Sequence, residues 1–355
     1  MSPTLVVILV GCLAAASCAL VGSFLVLRRM ALLGDAISHA VLPGIVIAFL
    51  LTGDRAALPM VLGAGALGVI TVALVELLNR SRRLKEDASI GVVFPALFSI
   101  GVILISRYAS QVDLDLDCVL YGEIAYTPWD LIFFGTTSIG PKALWVNGGT
   151  LLLNILLVGL LFKELKITTF DSGLAASLGF SPVLVHYLLM SAVSVTVVGA
   201  FESVGAILVV AMLVVPPATA YLLTDRLGVM LGLGIGLGMV SAVVGYGVAR
   251  WLDASIAGAI AAVSGVLFIL AVALSPRHGL LSKLLVQRRL GRRLAEKLLL
   301  SHLTEGPLVA ADVESRFGWS ARRLGRVVSR LEGAGKLRSA GGSLHLTPAG
   351  SDEGR

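Results

Sequence analysis

Asp35 and His39 stand four residues apart within the apolar stretch Gly34-Asp35-Ala36-Ile37-Ser38-His39-Ala40. On a helix, positions i and i+4 lie one above the other, so one carboxylate and one imidazole can meet the same cation. Borderline divalent ions such as Zn2+ and Mn2+ accept imidazole nitrogen together with carboxylate oxygen, whereas Mg2+ and Ca2+ favour all-oxygen shells. An ionisable pair inside a membrane helix is costly and by default marks an ion or substrate pathway. Two ligands from one helix leave coordination positions for a second subunit, water or other side chains, which suits transport better than storage. The alternatives are a structural Asp–His hydrogen bond or a helix cap by Asp35. Ser38 and Pro43 lie beside the pair as candidate pathway or gate residues. Glu202, in the run AFESVGA, is a further gate candidate, with a solvated interfacial carboxylate as its alternative.

The elements that position these groups must be membrane helices. Of 355 residues, 57% are hydrophobic and only 14% charged, where soluble domains average about 25% charged. Apolar segments near 5–27, 36–52, 58–78, 88–106, 149–163, 183–201, 203–223, 227–250 and 253–275 each approach the length that crosses a bilayer. The expected fold is therefore an all-α polytopic membrane protein of eight or nine transmembrane helices, with breaks at Pro43 and Pro216-Pro217 freeing carbonyls to line a path. The first segment lacks a basic leader and exceeds a signal-peptide core, so it reads as a retained span. Basic runs at 79–85, 163–166 and after Arg277 place those loops in the cytoplasm. The stretch 108–149, with Asp113, Asp115 and Asp117, reads as an extracytoplasmic loop with short helices. Cys12, Cys18 and Cys118 form no CxxC motif for zinc or redox work.

Residues 289–355 carry 12 Lys/Arg against 7 Asp/Glu, a net +5 of the chain's +6. This divides the chain into a transmembrane domain, 1–280, and a small cytoplasmic α/β domain, 281–355. Residues 310–317 and 321–333 form a helix-turn-helix pattern, and 335–346 two short strands about Ala340-Gly341-Gly342, together a winged-helix-like pattern. Arg322, Arg323, Arg326 and Arg330 on its second helix suit phosphate contacts. A docking or regulatory surface is the preferred reading of that helix, and DNA the other.

Four runs in order carry a resemblance: LRRMALLGDAISHAVLPGIVIAFLL, LDLDCVLYGEIAY, KELKITTFDSGLAASLGFSP and VGAILVVAMLVVPPATAYLLTDRL. They fall between residues 27 and 227, and the resemblance, taken over roughly residues 5–275, is to the permeases of bacterial ABC importers for manganese, zinc and iron. The resemblance implies that Asp35 and His39 contact the passing metal and that Phe170, Asp171, Ala175, Leu178 and Gly179 belong to an ATPase-coupling loop. It implies a cytoplasmic ABC ATPase dimer, a second permease subunit (identical or a sister chain), an extracytoplasmic metal-binding protein and a place in the bacterial inner membrane among its lipids. Independently, residues 170–179 read as a short amphipathic helix, with Asp171 as N-cap and Gly179 as its stop. No GxxxxGK[ST] occurs in the chain, so ATP hydrolysis belongs to a partner and the chain is a transporter subunit rather than an enzyme. No permanently bound cofactor is expected. The cargo is Mn2+ first, Zn2+ or Fe2+ next, because the long loop and C-terminal appendage resemble manganese-type members. The rival readings are a gradient-driven metal transporter, a membrane-tethered metal-responsive regulator and an importer of metal chelates.

Overall fold

In lipid a backbone must satisfy its own hydrogen bonds, so a chain with this many apolar segments has little choice but helix. A computed structural model describes residues 2–40, 42–52, 57–80, 86–108, 124–134, 137–275, 279, 290, 294–303, 308–309, 313, 317–340 and 343–347. The chain divides into two compact units, Met1–Ala273 and Leu274–Arg355.

The first unit begins with α1 (Pro3–Leu27), α2 (Leu32–Ala40), α3 (Leu42–Thr52), α4 (Ala57–Arg80) and α5 (Glu86–Tyr108). A hairpin of β1 (Leu131–Phe134) and β2 (Thr137–Pro141) follows. Then come α6 (Lys142–Leu160), α7 (Phe162–Phe170), α8 (Ser172–Ser177), α9 (Pro182–Val204), α10 (Ala206–Leu223), α11 (Leu227–Leu252) and α12 (Ile256–Leu274). Among the described residues nine stretches are long and apolar enough to cross a membrane, α2 and α3 counting as one over Leu32–Thr52.

Helix α1 is the axle. Pro3 opens it, where a missing N–H costs nothing, and its buried residues run from Val6 to Leu25 against α6, α9, α10 and α11. It ends in a Schellman turn: the Arg29 N–H donates to the Val26 carbonyl at 3.1 Å and the Met30 N–H to the Leu25 carbonyl at 2.9 Å. Arg29 sits at φ +63°, the left-handed position where glycine is usual, at a cost of about 1–2 kcal/mol. Helices α2 to α5 form a second cluster, joined to the axle side through α9 and, at α2, through α10. There α3 and α4 cross backbone to backbone, because Gly44 and Gly63 face each other so closely that a side chain on either would strike the other's carbonyl.

One expectation needs correction. The Pro216-Pro217 pair does not break its span: both prolines lie buried inside α10, which α1 and α11 hold on either side. Pro217 does deprive the Leu213 carbonyl of its i+4 amide donor, and that carbonyl abuts Gly22 of α1, where any side chain would collide with it. The loop after α5 also carries a hairpin that its sequence did not announce, β1 pairing antiparallel with β2 through a bulge between Ile132 and Phe133, while 109–123, where the expected short helices would fall, lie outside the described residues. Asp113, Asp115 and Asp117 lie outside the described residues.

In the second unit, helix α13 (294–303) is followed by β3 (Leu308–Val309), α14 (Ala321–Gly333), β4 (Leu337–Ala340) and β5 (Ser343–Leu346). The strands form an antiparallel sheet in the order β3-β5-β4. Leu299, Leu303, Trp319, Leu324, Leu331 and Leu344 meet in its core. Most of the helix expected at 310–317 lies outside the described residues.

Candidate metal pathway and coupling segment

Helix α2 buries Leu33, Ala36, Ile37 and Ala40, the i, i+3, i+4, i+7 stripe of an amphipathic helix. Asp35 and His39 are thereby turned to the other face. Their side chains remain 49% and 31% exposed, and His39 Nε2 lies 3.5 Å from Asp35 Oδ1. A charge-assisted hydrogen bond would close to about 2.7–2.9 Å. The pair is therefore aligned but not consumed by itself, and both donors can turn to an ion.

One wall of this face comes from α5. The His39 ring stacks at a tilt on Phe94, centroids 5.3 Å apart, and meets Phe98 edge-on at 6.2 Å. Phe94 and Phe98 are themselves i and i+4, so α5 presents both rings on one side. Nothing in the local sequence around His39 pointed to them. Their own spacing in an apolar span was the one available signal.

Ser38 and Pro43 have structural duties. The Ser38 hydroxyl donates to the Asp35 carbonyl at 2.7 Å, and the residue is buried. The break expected beside Pro43 would fall at residue 41, which lies outside the described residues. Pro43 packs on Gly101 of α5, where a Cβ would come within 2.8 Å of the proline ring. Glu202 lies at the far end of α9, ion-paired with Lys142 at the start of α6. The two line a cavity of about 100 Å3 with Tyr126, Thr127, Asp130 and Ser203. Among the described residues no group of three or more His, Cys, Asp or Glu is placed to hold a metal. Asp35 and His39 thus form a two-donor face.

The candidate coupling segment, 170–179, is built by capping. The Asp171 N–H donates to the Ile167 carbonyl at 2.8 Å, and its Oδ1 accepts from the Leu174 N–H at 2.9 Å. One residue ends α7 and starts α8. Gly179, at φ +86°, closes α8, with the Phe180 N–H donating to the Ala175 carbonyl at 3.0 Å. Ala175 is buried, while Phe170, Leu174 and Leu178 are 64%, 50% and 57% exposed. A groove of about 410 Å3 beside them is lined by Lys163, Lys166, Ile167, Phe170, Asp171 and Leu174.

On α14 the exposed Arg326 donates its Nε proton to the Arg322 carbonyl at 3.1 Å, and Arg330 lies 3.9 Å from Glu296 of α13. The Arg323 side chain lies outside the described residues.

The profile of the ABC 3 transport family matches residues 2–275. The chain is 50% identical to the manganese transport system membrane protein MntD of Bacillus subtilis, over 78% of this chain and 94% of that one. It is 45% identical to the zinc transport system membrane protein TroD of Treponema pallidum, over 98% of this chain and 96% of that one. Among solved structures, PsaBC from Streptococcus pneumoniae in complex with Fab is similar, with TM-score 0.65 and 29% identity over 78% of this chain and 94% of that one.

Proposed function

This chain belongs to the ABC 3 transport family, as the multi-pass membrane subunit of an ABC importer for a divalent transition-metal ion, and from that premise we propose how it works. It is a transporter subunit and not an enzyme, since ATP is hydrolysed by a separate ATPase. Asp35 and His39 contact the ion as it passes. The observation that carries this reading is their placement together on the half-exposed face of α2, inside an apolar span. Two donors hold an ion only briefly, and water or the same face of a second permease subunit completes its shell. Manganese is the first cargo and zinc or ferrous iron the next, in line with the named transport systems of the relatives and with an imidazole–carboxylate donor set.

An extracytoplasmic metal-binding protein delivers the ion. A cytoplasmic ATPase dimer seats on α8 through Phe170, Leu174 and Leu178, with Lys163 and Lys166 offering charge to acidic groups at the rim. Lys142 and Glu202 close the extracytoplasmic end of α6 and α9. Residues 281–355 form a cytoplasmic winged-helix-like domain that docks a partner or regulates transport through Arg322, Arg323, Arg326 and Arg330. The match to TroD runs through this region as well, which favours a role in the transporter over DNA binding.

Metal uptake in a strain lacking its own importer tests the pathway. Asp35→Ala and His39→Ala should each lower uptake by about tenfold or more, since even outer partners of metal ligands cost about 10–100-fold. Unchanged uptake in both variants, at wild-type membrane levels, overturns the assignment.

A further inference from the structure

We infer that Arg28 is a positioning residue that couples the ATPase-facing segment to the helix bearing Asp35 and His39, an inference that rests on the importer reading above. Its Nη2 donates to Thr168 Oγ1 at 3.0 Å and its Nε to Thr169 Oγ1 at 3.2 Å, while Nη1 lies 3.4 Å from His186 Nδ1. Thr168 and Thr169 belong to the last turn of α7, directly before Phe170. His186 belongs to the second turn of α9, directly after the coupling segment. The two stems of the segment that carries α8 therefore converge on one guanidinium.

The chemistry suits arginine. Its planar fork presents five donors and can hold acceptors from two helices at once, which a point-like ammonium cannot. Thr168 spends its own proton on the Glu164 carbonyl at 2.7 Å, so toward Arg28 it can only accept. The His186 Nδ1 that faces Arg28 accepts when the neutral imidazole carries its proton on Nε2.

The other end of the linkage is backbone. The Arg28 N–H is spent on the Phe24 carbonyl at 3.0 Å, and the Schellman turn through Arg29 and Met30 follows at once. The Leu33 N–H then donates to the Met30 carbonyl at 3.1 Å, inside α2. Successive hydrogen bonds leave this elbow little slack. A displacement of the Thr168–Thr169 turn, imposed through α8, reaches Arg28 by its side chain and the start of α2 by its backbone. The path is a short series of bonded groups rather than mere proximity, and its reality is a matter of measured coupling.

The test uses the full complex of permease, ATPase and binding protein in proteoliposomes, reading manganese transported per ATP hydrolysed. Arg28→Gln should assemble and hydrolyse ATP near wild-type rates while that ratio falls about tenfold, within the range of site-to-site coupling. Arg28→Lys should lose less, because one hydroxyl stays within reach. The double variant Thr168→Val/Thr169→Val removes the acceptors without touching Arg28, and should reproduce the Gln phenotype even if Arg28→Gln fails to fold. An unchanged ratio in the Thr variant overturns the inference. So does a parallel loss of assembly and hydrolysis with the ratio intact, which marks a plain structural staple. A wild-type complex that hydrolyses ATP without moving metal overturns the importer reading first, and this inference with it.

Discussion

His39 owes its orientation to Phe94 and Phe98 as much as to its own helix. Aromatic contacts of this kind contribute about 0.5–1.5 kcal/mol. Phe94→Ala should therefore leave the protein folded and raise the metal concentration for half-maximal uptake by roughly two- to tenfold, as measured by uptake titration. An unmoved midpoint would mean that α2 alone holds the ring. Asp35 and His39 could be read from the sequence as a pair because both side chains sit on a single helical turn and their spacing contains the geometry. Phe94 and Phe98 could not, since they reach the imidazole from another helix and no spacing rule links the two. Glu202 shows the same limit. Its choice between solvated carboxylate and gate was undecidable locally, and its partner Lys142 arrives from the start of α6. In the sequence Arg28 is half of a basic pair, Arg28-Arg29, at the end of the first apolar segment. That charge signal says which side of the membrane, and nothing about three acceptors on two other helices.

At the scale of elements, α8 is the least self-sufficient. Six residues are far below the length at which a helix persists alone in water, so it depends on the Asp171 cap and on what docks against it. Asp171→Ala removes a cap of about 1 kcal/mol, and retention of the ATPase on purification should weaken by roughly fivefold. Undiminished retention would show that docking, rather than the cap, forms the helix. Asp171 and Gly179 announced both ends of this element because capping chemistry is local. Proline was a poorer guide. The break expected at Pro43 falls outside the described residues. Pro216 and Pro217 sit mid-helix, yet α10 runs on because α1 and α11 grip it on both sides. The hairpin β1–β2 was missed altogether, since its short strands lie in a mixed stretch with no clean alternation.

For the whole molecule, the count of spans was legible and their arrangement was not. Lipid demands about twenty apolar residues per crossing, so the crossings announce themselves. The same demand makes every face of a span apolar, leaving no stripe to say which helix sits at the centre. That α1 is the axle became clear only from its burial. The family profile ends at residue 275, and the transport core should end there too. A chain lacking residues 285–355 should still accumulate metal in the uptake assay, and its failure at normal membrane levels would make the second unit part of the machine. Phe170, Leu174 and Leu178 carry one more consequence. Three large apolar side chains held up to water are the kind of surface that chaperones and proteases survey. Under the docking proposed above, a subunit made in excess of its ATPase would display them and an assembled one would hide them. If the ATPase docks here as proposed, the same groove would also serve as a label of unfinished assembly.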